Sequence, residues 1–323
     1  MQLTSKAGLL CFLKILEEYS DENHILTMSK IKQLMKSEYG LTPDRKTIYS
    51  HADILEVMGY DISKYENNKK GYYLISRDLD TSEVRALMDC VYTNNALPKG
   101  QTEKLIEKIQ KLLPKSERRT YKVTTQRRTP NKSIFYNIDV ISRAIKEKKK
   151  VEFSYYKYNV NKKLVKTRDE KYVVSPYALV VAEGVYYLVG KGQHYDTLSN
   201  YRIDKIFDIR ETEETAEDKP LGFDIQQYMD ESVFMFSGES VHAKMRCKNN
   251  MIGYVIDKFG QDTTMTDNGD GATFTLRVKG SYLGLRLWAT HYFESVEVLE
   301  PLDMREEIIE AIKNDNMYGL KLK

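Results

Sequence analysis

Residues 149–209 carry the strongest fold signal in the chain. Their main segments are Val151-Glu152-Phe153-Ser154-Tyr155-Tyr156, Ser175-Pro176-Tyr177, Val185-Tyr186-Tyr187-Leu188-Val189-Gly190 and Tyr201-Arg202-Ile203-Asp204-Lys205-Ile206. Short runs of β-branched and aromatic residues alternate with turns, a pattern that predicts the strands of a small barrel or a strongly bent sheet. The strands repeatedly place a tyrosine beside a basic or hydroxyl group. Aromatic faces mixed with cations suit a flat, anionic ligand such as a nucleotide or a single nucleic-acid strand.

These segments resemble the WYL family of bacterial regulators. Tyr186-Tyr187-Leu188 stands where that family has Trp-Tyr-Leu, and residues 201–206 stand where it has Phe-Arg-Leu-Asp-Arg-Ile. The resemblance covers residues 133–215, with a predicted helix at 138–148 ahead of the strands. It implies a compact Sm-like or SH3-like barrel of five strands. It also implies a basic, aromatic groove that takes a nucleic-acid or nucleotide-like effector.

The same resemblance implies roles for individual residues. Tyr187 would offer a hydroxyl or ring face, and Arg202 would offer a guanidinium fork for phosphate. The other effector-binding candidates are Tyr155, Lys157, Ser175 and Tyr201. Tyr186 and Lys205 depart from the family pattern, and the only basic residue at the usual distance ahead of the proline is Lys171. A structural interpretation stays open for each candidate, because aromatic residues on strands usually form core and Arg202 could pair with Asp204.

Composition sets limits on the class of protein. A chain of 323 residues with 41% apolar and 30% charged residues is typical of a globular protein with about two to four compact units. No apolar run approaches the roughly 18 residues of a membrane span. The three widely separated cysteines favour a reducing cytoplasm over a disulfide framework. The five scattered histidines have no ligand spacing, so we expect neither a metal nor a cofactor.

Charge is distributed unevenly along the chain. Residues 99–150 hold sixteen Lys or Arg against five Asp or Glu, a local charge of +11, whereas residues 211–323 hold twelve against twenty-one, a local charge of −9. Such asymmetry is typical of a nucleic-acid-facing segment beside a partner-facing one, and equally of solvated helix faces.

Residues 1–77 show three helical patterns followed by a hairpin. Apolar stripes at helical spacing mark the first two helices, Leu9-Leu10-Leu13-Leu16 and Ile31-Leu34-Met35. We expect Thr27 to cap the second helix and Gly40 to end it, and Thr42 with Pro43 to begin the third. Two helices joined by a short turn, then a hairpin, predict a winged helix-turn-helix DNA-binding domain. This segment also resembles the heads found on many WYL regulators.

The third helix is the predicted recognition helix. Its apolar face, Ile48, Ala52 and Leu55, is expected to pack on the first two helices, and its N-terminus would enter the major groove. The hairpin tip would act as a wing that touches phosphates. The predicted DNA-binding residues are Arg45, Lys46, Thr47, Tyr49, Ser50, Lys69 and Lys70. Because Asp44 and Asp53 add negative charge near this face, a structural or protein-docking head is the alternative.

Residues 78–132 form a predicted helical connector and linker. Asp80 or Thr81 would cap a helix with the stripe Val84-Leu87-Met88-Val91, and a second amphipathic helix would follow Pro98. The two helices could pack on each other, on the head or on a second subunit. Residues 118–132 are predicted to be an extended link, either a solvated linker or a cationic track for a phosphate backbone.

Residues 238–323 alternate strands and helices in the order βαββαβ, which predicts a ferredoxin-like domain. The cluster Asp267-Asn268-Gly269-Asp270-Gly271 predicts a hairpin turn rather than a calcium loop, because it lacks the closing Glu. Residues 287–301 resemble the C-terminal extension that accompanies WYL domains, and the single Trp288 is expected in the core. In that family the extension is associated with dimer contacts and gating of the groove.

The modules together predict a multidomain α+β protein. The favoured function is a cytoplasmic bacterial transcription regulator, a homodimer that binds a double-stranded operator and senses an anionic effector. The alternative is an accessory protein that binds single-stranded nucleic acid, tied to phage defence, with the head used for assembly. An enzyme is not expected, because no nucleophile-base pair, metal spacing or phosphate loop is present in the sequence.

Overall fold

The computed structural model describes residues 7–123, 128–194 and 197–313. The chain divides between Lys132 and Ser133 into two compact units of mixed helix and strand. Among the described residues, none of the helices has the length and apolar character needed to cross a lipid bilayer.

The first unit is mainly helical. Its elements are α1 Gly8–Tyr19, α2 Met28–Tyr39, α3 Arg45–Val57, β1 Ile62–Ser63, α4 Tyr65–Asn68, β2 Tyr73–Leu74, α5 Thr81–Thr93 and α6 Lys99–Ile109, with 3-10 turns at Gln110–Leu112 and Lys115–Glu117.

The first three helices bury the apolar faces expected from the sequence. Ile48, Ala52 and Leu55 of α3 join residues of α1 and α2 in one core. The Thr27 hydroxyl accepts the N–H of Lys30, and Gly40 ends α2 with a left-handed φ of 69°, so both predicted caps are confirmed. The predicted start of α3 is wrong.

Asp44 caps α3 in place of Thr42. Its Oδ1 accepts the N–H of Thr47 at 2.7 Å, and Pro43 lies one residue ahead of the cap. A carboxylate interacts more favourably than a hydroxyl with the positive end of the helix dipole, which explains the choice. The negative charge near the recognition face is therefore part of the helix start.

The hairpin after α3 is shorter than predicted. Ile62 pairs with Leu74 and Ser63 with Tyr73, and the helical turn α4 occupies much of the interval between these strands. Leu26, ahead of α2, exchanges two backbone hydrogen bonds with Tyr72 at 2.8 and 2.9 Å. The hairpin is thereby fixed to the chain between α1 and α2.

The connector helices pack on each other. Val84 and Met88 of α5 share a core with Ile106, Leu113 and Val123. The expectation of a solvated linker is wrong for the end of this segment, because Val123, Thr129 and Asn131 are buried. Arg127 lies outside the described residues.

The second unit begins with α7 Ile134–Glu147, which starts four residues before the predicted helix, and continues as a curled antiparallel sheet. Its strands are β3 Lys149–Tyr158, β4 Leu164–Lys166, β5 Tyr172–Ala182, β6 Val185–Gly192, β7 Leu198–Arg202 and β8 Ile206–Thr215. The order is β4-β3-β5-β6-β7, and β8 pairs with β3. There are six described strands rather than five, because the loop between β3 and β5 adds the short β4.

Local irregularities curl this sheet. The β3–β8 and β5–β6 pairings contain register shifts, which bend the strands. A Cβ at Gly190 would lie 2.5 Å from the carbonyl oxygen of Ser175, so only glycine allows β6 to approach β5 there. Asn137 of α7 donates to the Ile206 carbonyl at 2.8 Å and ties the helix to the start of β8.

The remainder of this unit is a second sheet covered by helices. Its elements are α8 Ile225–Glu231, β9 Ser240–Lys248, α9 Ile252–Phe259, β10 Thr264–Asp267, β11 Thr273–Ser281, α10 Tyr282–His291, β12 Val296–Glu300 and α11 Leu302–Lys313. The predicted order of strands and helices is observed. The four strands are antiparallel in the order β10-β11-β9-β12. Trp288 is 2% exposed within this core, as expected.

Candidate functional site

Arg202 and Asp204 form a two-point ion pair at the end of β7. The Nε of Arg202 donates to Oδ1 of Asp204 at 3.0 Å, and Nη2 donates to Oδ2 at 2.9 Å. Asp204 is 8% exposed, whereas the Arg202 side chain is 39% exposed. The hydrogen bonds to Asp204 raise the pKa of Arg202. The structural interpretation of Arg202 is therefore confirmed, and its remaining N–H groups are not engaged by Asp204.

Two tyrosines lie beside this ion pair. Tyr187 is opposite Arg202 in the β6–β7 register. The hydroxyl of Tyr155 accepts the backbone N–H of Arg202 at 3.1 Å. Burial raises the pKa of Tyr155 to about 12 and also raises the pKa of Tyr187. Both phenols therefore stay protonated at neutral pH, and each hydroxyl can donate a hydrogen bond to an anion.

Lys205 adds a second cation next to Arg202. Its side chain is half-buried, and burial followed by the charge of Arg202 lowers the pKa of its ammonium group. A bound anion would relieve this unfavourable environment. Lys205 stands at the family's second arginine position and was not among the predicted effector-binding residues.

The other predicted effector residues lie apart or in the core. Tyr201 is 6% exposed and packs on Phe153 at 5.4 Å between ring centroids. Ser175 is 1% exposed and its hydroxyl accepts the N–H of Glu217, at the opposite end of the β5–β6 pairing from Tyr187. Lys157 is exposed at the outer end of β3, opposite Val165. The structure thus brings together Tyr155, Tyr187 and Arg202.

Arg168 is a cation that sequence reasoning missed. Its guanidinium carbon lies 3.7 Å from the ring centre of Tyr172, and its buried Nε has no hydrogen-bond partner among the described residues. Lys171, expected at the family's basic position, instead pairs with Glu152 at 2.9 Å. The signal available in the sequence was the proximity of Arg168 to Tyr172, which the turn between them brings into contact.

The first unit presents the predicted reading face of α3 to solvent. Arg45, Lys46, Tyr49 and Ser50 are exposed, and Tyr49 is 46% exposed despite its large ring. Thr47 is half-buried, and its backbone N–H donates to the Asp44 cap. A helix N-terminus with exposed Arg, Lys, Tyr and Ser can contact base edges and phosphates.

Lys64 offsets the acidic groups on the same face. Its ammonium lies 2.5 Å from Asp53 and 2.7 Å from Glu56, while Lys64 itself is 19% exposed. The pairing raises the pKa of Lys64 against the effect of burial. The role of Lys64 is not apparent from the sequence, because Lys64 lies between β1 and α4 and only the folded hairpin returns it to α3.

The hairpin tip is organised by Asn68. Its Oδ1 accepts the N–H groups of Lys70 and Gly71, and its Nδ2 donates to Ser63 and to the Gly71 carbonyl. Both predicted wing lysines, Lys69 and Lys70, are exposed, and the ammonium of Lys69 also donates to the Glu66 carbonyl at 2.9 Å.

Comparison with known proteins gives one family match. The model of the WYL domain matches residues 136–211, from within α7 to within β8. No curated protein matches the chain. Because the match spans the elements that hold Tyr155, Tyr187 and Arg202, it concerns the site described above.

Two solved structures align with the chain. Proteasome accessory factor B/C (PafBC) of Arthrobacter aurescens is 15% identical, with 98% of this chain and 49% of that chain covered and a TM-score of 0.27. A CRISPR Cas-related protein is 14% identical, with 99% and 86% covered and a TM-score of 0.37. The chain spans about half the length of the PafBC chain. The chain contains a WYL domain at residues 136–211.

Proposed function

We propose that the protein is a transcription regulator that binds duplex DNA through α3 and senses an anionic, nucleic-acid or nucleotide-like effector through its WYL domain. The observation that carries this proposal is the grouping of Tyr155, Tyr187, Arg202 and Lys205 in that domain. Two phenol donors beside a guanidinium and an ammonium form a site for phosphate. The role is one of binding, not of catalysis, in a bacterial cytoplasm.

In this proposal the head, residues 1–77, is a winged helix-turn-helix domain. Three helices followed by a two-stranded hairpin, with Leu26 paired to Tyr72, support that fold. In such a domain the exposed N-terminal half of α3 lies in the major groove and the hairpin tip reaches the backbone. A single short helix contacts few base pairs. We therefore propose a homodimer that places two heads on an operator with two half-sites.

The last part of the chain is a ferredoxin-like domain in this proposal. The element order βαββαβ and the strand order β10-β11-β9-β12 support it. Its packing within the same compact unit as the WYL domain is consistent with a part in effector sensing.

Duplex recognition is tested with the variant Lys46→Ala/Tyr49→Ala. Binding of the full chain to its own promoter duplex is followed by fluorescence anisotropy. We expect specific binding to be lost while binding of a mixed single-stranded probe is retained. The matched control, Lys104→Ala/Tyr136→Ala, removes an exposed lysine and tyrosine elsewhere and should bind normally. Binding of single strands alone would overturn the regulator and favour an accessory nucleic-acid-binding protein.

Effector binding is tested at Arg202 and Tyr187. Arg202→Gln and Tyr187→Phe should each weaken binding of the single-stranded probe, the first by more because it removes a charge-assisted contact. Thermal unfolding checks that Arg202→Gln, which also removes the two hydrogen bonds from Arg202 to Asp204, is still folded. Unchanged probe binding in both folded variants would remove this site from effector recognition.

A further inference from the structure

The second sheet of the second unit has one covered and one open face. Alternate residues of β9 and β11, such as Met245, Cys247 and Leu276, are buried against Trp288 and Met304 of the helices. Since side chains alternate across a strand, the residues between them point to the opposite side. Those residues are exposed or half-buried, so this side faces solvent.

The open face is basic. It carries His242, Lys244, Arg246 and Lys248 on β9 and Arg277 and Lys279 on β11. Antiparallel register places His242 opposite Lys279 and Lys244 opposite Arg277. These five Lys and Arg residues belong to a stretch whose overall charge is −9. Alternation along β9 places three of them on one face, and pairing with β11 adds the other two.

Carboxylates neutralise part of the positive charge on this face. Glu297 and Glu300 of the edge strand β12 lie 3.1 Å from Arg246 and 3.5 Å from Lys244, and Glu231 lies 2.7 Å from Lys279. Within the described ranges, neither Lys248 nor Arg277 forms an ion pair with a carboxylate. The surface therefore has unbalanced positive charge at β9 and β11.

The chemistry of the face suits phosphate. A shallow recess of about 340 Å³ lies on part of this face. It is lined by His242, Lys244, Thr264, Arg277, Lys279 and Glu300. Thr273 and Thr275 lie opposite Lys248 and Arg246, but their hydroxyls donate to Asp270 and Asn268, so the cations are the main groups for phosphate. Residues two apart on a strand are about 7 Å apart, so Lys244, Arg246 and Lys248 form an evenly spaced row. Guanidinium, ammonium and hydroxyl groups are the usual partners of phosphate oxygens.

We propose that this open sheet face binds the sugar-phosphate backbone of a single nucleic-acid strand without regard to sequence. A flexible strand can follow the row along β9, whereas a duplex is a rigid cylinder that would touch a sheet face at few phosphates. The outward positions of β9 and β11 carry no Phe, Tyr or Trp and one imidazole, that of His242, so the face offers bases little stacking surface. The residues of this surface differ from Arg202 and from those of α3. The function proposed for it does not depend on the roles proposed for them.

The test uses the full chain and a fluorescein-labelled oligothymidylate, with anisotropy measured over a series of salt concentrations. Lys248→Gln/Arg277→Gln removes two unpaired cations at exposed positions. We expect affinity to fall on the order of tenfold at low salt, and the slope of log affinity against log salt to decrease by about 1.4, from roughly 0.7 per phosphate contact. The matched control, Lys146→Gln/Lys313→Gln, should keep both values.

Two further variants separate the alternatives. Thr275→Glu introduces a negative charge at the centre of the face and should also weaken binding, while thermal unfolding reports whether each variant is folded. Unchanged affinity and slope in the folded face variants would overturn the proposal. So would a loss of binding in Arg202→Gln while Lys248→Gln/Arg277→Gln and Thr275→Glu keep full affinity and slope, which would place the strand in the WYL domain only, or tighter binding of a duplex that depends on Lys248 and Arg277.

Discussion

At the residue scale, Tyr155 connects the pH dependence of stability to the candidate effector site. Its hydroxyl accepts the Arg202 N–H, and burial raises its pKa from 10.0 to about 12. The folded state therefore holds the phenolic proton more tightly than the unfolded state. This contribution to stability is complete below about pH 10 and is lost as the pH rises through about 12.

We expect Tyr155→Phe to change stability in opposite directions at the two ends of this window. At pH 9 it should lower the free energy of unfolding by about 1 kcal/mol, because one hydrogen bond is lost. As the pH rises toward 12, the native chain loses up to about 2–3 kcal/mol of stability through ionisation of Tyr155, and the variant does not lose this contribution. Urea unfolding at both pH values measures this, with the exposed Tyr158→Phe as control. Parallel pH profiles for Tyr155→Phe and the native chain would contradict the assignment.

Arg202 shows how one residue can have both interpretations that the sequence allowed. The fork toward Asp204 is structural, yet the side chain is more than a third exposed beside Tyr187 and Lys205. The motif in the sequence located this group. It did not reveal that Ser175 and Tyr201 are buried, because their exposure depends on which strands cover them.

At the element scale, Lys64 joins the hairpin to α3 and controls the charge of the reading face. We expect Lys64→Gln to weaken promoter duplex binding on the order of fivefold at low salt, because Asp53 and Glu56 are then left to repel phosphates. Stability should change by less than about 1 kcal/mol, as these carboxylates are well exposed. Anisotropy titrations measure the affinity.

The companion variant Asp53→Asn/Glu56→Gln supplies the control for this effect. Added to Lys64→Gln, it should restore duplex affinity, since it removes the repelling charges. Failure of this combination to recover binding would show that Lys64 acts on the shape of the hairpin and not on charge.

Arg128 stabilises the end of α5 and the loop that follows it. Its Nη1 donates to the carbonyls of Asn94 and Leu97 and to the Thr102 hydroxyl at 2.8–3.1 Å, and its Nη2 donates to the Tyr92 carbonyl. Lysine has a single ammonium and cannot reach all these acceptors. We expect Arg128→Lys to lower the free energy of unfolding of the first unit by about 1–3 kcal/mol.

Chemical denaturation of Arg128→Lys beside Arg119→Lys measures this difference. Arg119 is exposed in the same segment, so its replacement should be nearly neutral. Equal stability of the two variants would mean that Arg128 contributes no more than a solvated arginine.

At the scale of the whole molecule, regulation requires coupling between duplex and effector binding. If an oligothymidylate changes the affinity for the promoter duplex, the duplex must change the affinity for the oligothymidylate by the same factor, typically about 5–150-fold. Anisotropy titrations with each probe, alone and with a saturating amount of the other, measure both factors and test whether they are equal. An oligothymidylate that binds without altering duplex affinity would exclude it as the effector.

The sequence by itself determined the order of the main helices and strands and the identity of the WYL domain, but not the short elements α4, β4 and α8. Local signals suffice for this, since apolar periodicity marks helices and strands, Thr27 and Gly40 mark the ends of α2, and the residues around Tyr187 and Arg202 mark the family. The start of α3 was misplaced because two neighbouring residues, Thr42 and Asp44, can both cap, and local pattern does not choose between them.

Only the tertiary structure decided which charges act together. Lys64 meets Asp53 and Glu56, Arg128 meets the end of α5, and the cations of β11 join those of β9 on one face, although the partners are distant in sequence. Local propensity is a property of neighbouring residues, whereas electrostatic interaction depends on distance in space. Strand register and helix packing set those distances, so the linear charge count predicted an acidic tail where the fold forms a basic surface.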